Sequence, residues 1–243
     1  SGLSNSDVHM APILFRGKHR HLPRVPITEV REHTMSTILA LTSSALADQS
    51  VSSRLVNFAV ERLRGRDPRA VVTVRDLGST HIPHLDTDAA AAIRTGETAN
   101  PRQEQALALS EELLGELRSA DTLVIGAPMY NFGMSTTLKA WFDYVLRAGV
   151  TFRYSEAGPV GLLTGKRALV MLSRGGLYST GPSQAMDFQE PHIRTLLGFM
   201  GVDDVTMVRA ERLGFGHEAR AQAVAGAEAE IEAAVAGEWR QAA

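Results

Sequence analysis

The 243-residue sequence contains no cysteine, and this absence excludes several kinds of chemistry together. Disulfides, thiol nucleophiles, zinc ribbons and cysteine-ligated iron–sulfur clusters all require that side chain. Long apolar runs are missing too, since none approaches the roughly 18–20 residues of a membrane-spanning helix. We therefore expect a soluble, cytoplasmic protein that makes no contact with a membrane.

The chain also lacks an excess of charge of either sign. It has 25 basic and 27 acidic residues, a formal net charge of −2, which argues against binding of nucleic acid. Residues 1–34 differ from the rest, because they hold five Lys/Arg and four of the eight histidines without helical or strand periodicity. We interpret 1–34 as a disordered upstream leader or an expression remnant. A transit peptide is less favoured, since no amphipathic helix is evident.

From Met35 onward, short apolar runs alternate with helical patterns. This alternation predicts one α/β domain over residues 35–243, with a five-stranded parallel sheet between two layers of helices. Pro128 is expected to end the third strand, an alanine-rich stretch near 89–93 to form a short helix, and residues 152–166 to form a hairpin or loop insertion. The predicted strands are 38–41, 71–74, 121–127, 167–173 and 205–210, and the predicted helices are 51–63, 100–117, 135–146, 183–200 and 217–235.

Ligands bind such sheets at the carboxyl ends of the strands, which directs attention to the loops there. After the first strand, Ser44, Ser50 and Ser52 lead into a helix, and hydroxyls at a helix N-terminus can hold a phosphate without a lysine. Helix capping is an equally good explanation of these serines. The chain has neither a Walker A motif nor a GxGxxG motif after this strand, which lowers the odds of a dinucleotide site. The glycines at 214 and 216 are interpreted as a turn.

Two further loops carry residues suited to a flat ligand. Met129, Tyr130, Asn131 and Phe132 follow the third strand, and such side chains can lie against conjugated rings. Packing around a tight turn would explain them as well. The run 173–176 follows the fourth strand, and its paired glycines allow backbone amides to approach a ligand closely, although an ordinary turn has the same composition. Together, the three loops at one edge predict a binding site.

Four stretches make the sequence recognisable: APMYNF at 127–132, RAGVTFRY at 147–154, GPVGLLTGK at 158–166 and SRGG at 173–176. They resemble the family of FMN-dependent NADH:azoreductases and NADH:quinone oxidoreductases. The resemblance extends from Met35 to about Val235 and implies a flavodoxin-like fold with strand order 2-1-3-4-5. It also implies a homodimer with the site near the subunit interface.

The resemblance assigns the cofactor FMN to the three loops. Gln49 departs from some relatives, which have an aromatic residue there, and we expect this change to alter the affinity for FMN without abolishing binding. Walls of the substrate pocket are expected at Phe152, Tyr154, Tyr178 and Phe188, with Arg94 positioning an anionic substrate or nucleotide. The expected FMN contacts are Ser44, Ser50, Val51, Ser52, Met129, Tyr130, Asn131, Phe132, Ser173, Arg174, Gly175 and Gly176.

The implied activity is two-electron transfer by a ping-pong mechanism. NADH or NADPH would deliver hydride to N5 of FMN, and a quinone or azo compound would then take the electrons. Because the chemistry takes place on the flavin, we expect no catalytic side chain and no metal. The main alternative is a non-enzymatic FMN electron carrier of the flavodoxin type.

Overall fold

A computed structural model describes residues 35–237, and the prediction for residues 1–34 lies outside this range. The strands lie close to the predicted positions, and the hairpin expected at 152–166 is present as β5 and β6. In chain order the strands are β1 (Thr37–Thr42), β2 (Val71–Asp76), β3 (Thr122–Tyr130), β4 (Gly133–Met134), β5 (Phe152–Ser155), β6 (Gly158–Gly161), β7 (Arg167–Ser173) and β8 (Asp204–Ala210).

The helices begin at residues whose side chains or rings favour a helix start. Asn100 accepts hydrogen bonds from the backbone N–H groups of Arg102 and Gln103, and Pro101 occupies the first helical position. The short helix expected around the alanines at 89–93 is present. The helices are α1 (Val51–Arg66), α2 (Thr87–Thr95), α3 (Pro101–Ser119), α4 (Thr136–Val145), α5 (Glu190–Met200) and α6 (His217–Ala236). None of these helices is both long and apolar enough to cross a bilayer.

Five parallel strands form the sheet in the order β2-β1-β3-β7-β8, with β4 added antiparallel to β3. Adjacent residues of β1 face opposite cores: Leu39 packs with the helices α2 to α5, whereas Ile38 packs with α1 and α6. The sheet therefore lies between two helical layers, with its edge strand β2 largely exposed. This arrangement confirms the predicted three-layer, flavodoxin-like fold and its strand order.

The prediction that Pro128 ends the third strand was wrong. Strand β3 continues to Tyr130, and Pro128 pairs in register with Ser173 of β7. On its other side, the pairing of β3 with β1 stops at Ile125, opposite Leu41. Between Ile125 and the β4 pairing at Met129, β3 has no partner strand on the β1 side, so a proline without an N–H can remain in the strand.

The predicted helix 183–200 was wrong in its first half. A short 3₁₀ helix spans Pro182–Met186, and α5 starts only at Glu190. Between them, Asp187 accepts hydrogen bonds from the N–H groups of Gln189 and Glu190. This side chain ends the irregular segment and starts α5, because it satisfies N–H groups that have no acceptor within the helix.

Candidate functional site

A cavity of about 280 Å³ opens at the carboxyl edge of the sheet, where the sequence predicted a site. A larger depression of about 660 Å³ lies between α1 and α6, but Glu61 and Glu228 line it and no strand end reaches it. The smaller cavity is the better candidate because loops from four parallel strands converge on it. Its lining is Ser44, Leu46, Gln49, Ser50, Val51, Pro128, Met129, Tyr130, Ser173, Arg174, Gly175, Leu213, Gly214 and Arg220.

One end of the cavity is the N-terminus of α1. The Ser50 side chain caps this helix by accepting a 3.1 Å hydrogen bond from the Ser53 N–H, and its hydroxyl lies 3.1 Å from that of Ser52. The helix supplies no acceptor for the N–H groups of Val51 and Ser52. The positive end of a 16-residue helix therefore presents free donors beside buried hydroxyls, a setting that favours an anion.

The loop that carries Ser44 is held by close backbone contacts. The Ser43 hydroxyl donates a 2.7 Å hydrogen bond to the carbonyl of Gly126, and the Thr137 hydroxyl donates to the carbonyl of Ser43. A Cβ at Gly78 would lie 2.4 Å from the Ser44 carbonyl oxygen, so only glycine allows this approach. The anion-binding end is thus positioned by the turn after β2, by the middle of β3 and by the first turn of α4.

The other end of the cavity is built by the extension of β3 and its turn. Met129 pairs with Met134 and Tyr130 with Gly133, so Asn131 and Phe132 form a two-residue hairpin. Both have positive φ, +45° and +72°, as a type I′ turn requires. Asparagine tolerates this conformation, whereas phenylalanine rarely adopts it. Strained residues of this kind concentrate at functional sites.

Tyr130 joins the two ends. Its hydroxyl lies 3.3 Å from the Ser44 hydroxyl and accepts a 3.1 Å hydrogen bond from the Ala45 N–H. The Ser44 hydroxyl in turn accepts from the Leu46 N–H. The loops after β1 and β3 therefore share one hydrogen-bonded chain, and the Tyr130 hydroxyl adds to the contacts that fix their spacing.

The loop after β7 is paired with the loop after β8. The carbonyls of Arg174, Gly175 and Gly176 accept hydrogen bonds from Leu213, Gly214 and Arg212, respectively. Within the described part of the chain, the N–H groups of Gly175 and Gly176 make no hydrogen bond. Backbone donors are therefore available beside the cavity at Gly175, which lines it.

Behind this loop, Arg174 is completely buried and points into a cluster of acidic side chains. It forms ion pairs with Asp187 at 2.8 Å and Glu211 at 3.0 Å, and its Nε donates to the Gln189 amide oxygen at 2.9 Å. Only its backbone belongs to the cavity edge. The side chain ties the loop after β7 to β8 and to the segment before α5.

Glu211 is the hub of this cluster. Its carboxylate accepts hydrogen bonds from the Tyr178 and Ser179 N–H groups and from the Ser179 hydroxyl, in addition to pairing with Arg174. Burial would raise the pKa of Glu211, but the hydrogen bonds and the guanidinium outweigh it and hold that pKa below its ordinary value. The carboxylate is therefore charged at neutral pH and anchors the backbone of residues 178–179.

The structure brings eight of the twelve expected cofactor contacts to the cavity lining. Of the other four, Ser52 lies behind Ser50, Asn131 and Phe132 form the turn beyond Tyr130, and Gly176 follows Gly175 in the paired loop. Leu213, Gly214 and Arg220 line the cavity although they were not expected there. The loop after β8 ends at the same edge as the other three, which is the signal that the turn interpretation of residues 214–216 overlooked.

The expected substrate-pocket residues fall into two groups. Tyr178 and Phe188 lie at the Phe132 turn: the Tyr178 ring is 6.2 Å from the Phe132 ring, and the Phe188 N–H donates to the Phe132 carbonyl. Phe152 and Tyr154 lie on the β5–β6 hairpin, with the Phe152 ring against Phe199 at 4.6 Å. None of these four residues lines the cavity of this chain, and neither does Arg94, which is exposed at the end of α2.

Comparison with known proteins gives consistent matches. A family model described as flavodoxin-like fold matches residues 36–235. The chain is 53% identical over 197 residues to the FMN-dependent NADH:quinone oxidoreductase of Hyphomonas neptunium, covering 81% of this chain and 94% of that protein. It is 48% identical over 203 residues to the protein of the same name from Escherichia coli, covering 83% and 100%. An azoreductase structure from Bacillus anthracis matches with a TM-score of 0.76 at 25% identity, covering 83% of this chain and 99% of that one.

Proposed function

Since the chain belongs to the family of proteins with the flavodoxin-like fold, we propose that it is an FMN-dependent oxidoreductase that passes electrons from NADH, or NADPH, to quinones and azo compounds. One observation carries the proposal. The cavity joins an anion-binding helix end to a strained aromatic turn and a loop with free backbone donors. A planar ligand with a phosphate on a flexible chain has the matching chemistry.

The donor set fits FMN part by part. Ser44, Ser50 and the N-terminus of α1 suit the phosphate, and Met129 and Tyr130 suit one side of the ring system. The free N–H groups of Gly175 and Gly176 suit its pyrimidine edge, which carries hydrogen-bond acceptors. Such donors stabilise negative charge that develops at that edge on reduction.

When bound, FMN supplies the two-electron redox chemistry, and the chain supplies binding and orientation. Among the described lining residues, the only acids or bases are the arginines at 174 and 220, and the Arg174 side chain lies behind the cavity with its carboxylate partners. Protons for the acceptor can therefore come from solvent. A cytoplasmic location would suit a reaction that consumes reduced pyridine nucleotide.

We further propose that the protein acts as a homodimer. Phe132, Tyr154 and Phe188 are large aromatic side chains that are 43%, 73% and 64% exposed. Met186, two residues before Phe188, and Leu177, directly before Tyr178, are also exposed. Exposed apolar residues in such numbers mark an interaction surface. A partner subunit would bring the exposed Tyr154, which the buried Phe152 supports, to the pocket wall and Arg94 to a position where it contacts an anionic substrate or nucleotide. Sedimentation equilibrium tests this proposal, because a monomer at micromolar concentration would contradict it.

Anaerobic spectroscopy of the FMN-loaded protein tests the activity. We expect NADH to bleach the flavin absorbance near 450 nm, a property of flavins in general, and a quinone added afterwards to restore it. If neither NADH nor NADPH bleaches the flavin, the enzyme proposal is contradicted. If NADH bleaches the flavin but neither a quinone nor an azo dye restores its absorbance, the proposed acceptors are contradicted.

The electron-carrier alternative is less favoured, because the relatives at about half identity over most of the chain are named as oxidoreductases. The same experiment separates the two, since a carrier is reduced by a partner protein and not by NADH. Steady-state rates with varied NADH and quinone give the second criterion. Parallel reciprocal plots are expected for the ping-pong mechanism.

A further inference from the structure

Arg220 is a cation at the cavity that the sequence analysis did not identify. It lies in the first turn of α6 and lines the cavity together with the loops after β1, β3, β7 and β8. Its guanidinium Nη2 donates a 3.4 Å hydrogen bond to the carbonyl oxygen of Gln49. Gln49 directly precedes Ser50, the N-cap of α1. The charge of Arg220 therefore lies at the anion-binding end of the cavity.

The charges around this end leave Arg220 available. Arg54, one turn into α1, is already paired with Glu228 at 2.8 Å. Among the side chains that the structure describes, no carboxylate forms an ion pair with Arg220. Its one hydrogen bond goes to a neutral carbonyl at the long limit of such bonds, so an anion can replace or share it without breaking an ion pair.

From this geometry we propose that Arg220 is a direct ligand of the flavin's phosphate group. The inference rests on the proposed function, because it assumes that FMN occupies the cavity. The helix end and the serines provide only dipoles for a phosphate that carries up to two negative charges. A guanidinium matches phosphate geometry and provides a full positive charge. Arg220 would thus select phosphorylated flavin over riboflavin.

A structural role for Arg220 makes a different prediction. If the bond from Arg220 to Gln49 only holds the 3₁₀ turn Ala47–Gln49 in place, the loss of that bond should weaken the binding of FMN and of riboflavin equally. A phosphate ligand should affect FMN alone. The comparison of FMN with riboflavin, which lacks the phosphate, therefore distinguishes the two roles.

In the experiment, flavin-free protein is titrated with FMN and with riboflavin, and binding is measured from the quenching of flavin fluorescence. The variants are Arg220→Ala, Arg220→Lys, and Arg62→Ala as a control that removes the same charge from the far half of α1, where Arg62 pairs with Glu232. We expect Arg220→Ala to weaken FMN binding about tenfold. This loss lies between those typical of removing an exposed ion pair and of removing a charge-assisted hydrogen bond. Riboflavin affinity should change less than twofold, and Arg220→Lys should recover part of the loss.

Three outcomes would overturn the inference: unchanged FMN affinity in Arg220→Ala, equal weakening of FMN and riboflavin, or an equal loss in Arg62→Ala. If the unsubstituted protein binds neither flavin, the proposed function fails and this inference fails with it. If it binds FMN and Arg220→Ala binds equally well, only the assignment of Arg220 fails. A smaller dependence of FMN affinity on salt in Arg220→Ala would further support a charge contact.

Discussion

Phe132 occupies a backbone conformation that a glycine would adopt without strain. Its φ is +72°, and a left-handed conformation costs a residue with a Cβ about 1–2 kcal/mol. The ring makes an edge contact with Tyr178 but remains 43% exposed, so burial recovers little of that cost. A residue that is retained against its conformational preference points to a contact with a ligand or a partner.

Replacing Phe132 by glycine and by alanine separates strain from contact. Both variants lose the ring, but only alanine keeps a Cβ in the left-handed region. We expect Phe132→Gly to be more stable than Phe132→Ala by about 1 kcal/mol in urea unfolding. Both should reduce quinones more slowly than the unsubstituted protein. Equal stability of the two variants would contradict the strain argument.

Tyr130→Phe should loosen the connection between the loops after β1 and β3. The variant keeps the ring at the cavity and removes the hydroxyl that contacts Ser44 and the Ala45 N–H. We expect a several-fold loss of FMN affinity, corresponding to about 1 kcal/mol for one hydrogen bond, with an unchanged far-UV spectrum. Fluorescence titration measures the affinity, and an affinity equal to that of the unsubstituted protein would show that the hydroxyl does not position the site.

At the residue level, sequence predicted the parts of the site that are contiguous in the chain. The serines before α1 and the run 129–132 could be found because residue type and strand end coincide. Arg220 could not be found, because an arginine in the first turn of a helix is ordinary and its position beside Gln49 depends on how α6 packs against α1. Contacts of this kind depend on tertiary packing and have no local signature.

The carboxylate cluster around Arg174 gives the loop after β7 a pH-dependent anchor. Since the pKa of Glu211 is lowered on folding, its contribution to stability is complete above the ordinary glutamate value and is lost as the pH falls through the folded pKa. Burial would also raise the pKa of Glu190, but its bonds with Arg209 and Arg194 and the charge of Arg174 hold it low. Protonation of these two carboxylates in acid therefore lowers the free energy of unfolding.

Glu211→Gln tests this anchor. The amide keeps the size but leaves Arg174 with one fewer counter-charge, and we expect a loss of about 3 kcal/mol at pH 7, typical of a broken buried ion pair. The free energy of unfolding of the variant should fall less between pH 7 and pH 4 than that of the unsubstituted protein. Glu228→Gln, which breaks the exposed pair with Arg54, should cost less than about 1 kcal/mol. Parallel pH profiles for Glu211→Gln and the unsubstituted protein would contradict the anchor.

At Gly161 the β5–β6 hairpin meets the end of α5 through backbone contacts. A Cβ at Gly161 would lie 2.1 Å from the backbone nitrogen of Gly201, which follows α5 with a φ of +93°. The Leu163 N–H donates to the carbonyl of Met200 at the same junction. No side chain fits between Gly161 and Gly201, so the spacing of the hairpin from the end of α5 is fixed at this point.

Gly161→Ala should therefore lower the free energy of unfolding by about 1–3 kcal/mol or more, the cost of forcing atoms into packed space. The matched control is Gly115→Ala in the interior of α3, where a Cβ meets nothing within 4 Å. That change should stabilise the protein by about 0.5–1 kcal/mol because alanine favours a helix. Urea unfolding measures both, and a neutral Gly161→Ala would show that the hairpin can shift.

At the level of elements, periodicity predicted every strand of the parallel sheet, since buried strands are continuous apolar runs. The errors occurred where tertiary context decides. Pro128 remains in β3 because its missing N–H faces a side without a partner strand, which cannot be seen before the sheet is known. The break at 187–189 depends on Asp187, which pairs with Arg174 and bonds to the start of α5.

The domain boundary at Met35 is a prediction about the whole molecule. The family match begins at residue 36, and every residue of the cavity lies beyond it. We expect a chain that starts at Met35 to keep the melting temperature and the FMN affinity of the full sequence. Calorimetry and flavin titration of the two forms provide the test, and a lower melting temperature in the shorter form would assign a structural role to residues 1–34.

The cavity combines residues that lie far apart in the chain, and this has a consequence for biosynthesis. Ser44 and Ser50 are translated well before Arg220, which lies in α6. A ribosome that has completed β1 and α1 has therefore made the helix end of the site without the guanidinium that faces it. The complete site can form only after α6 has left the ribosome, so a product that ends before α6 would have an incomplete site and would lack the α6 layer over β1 and β8.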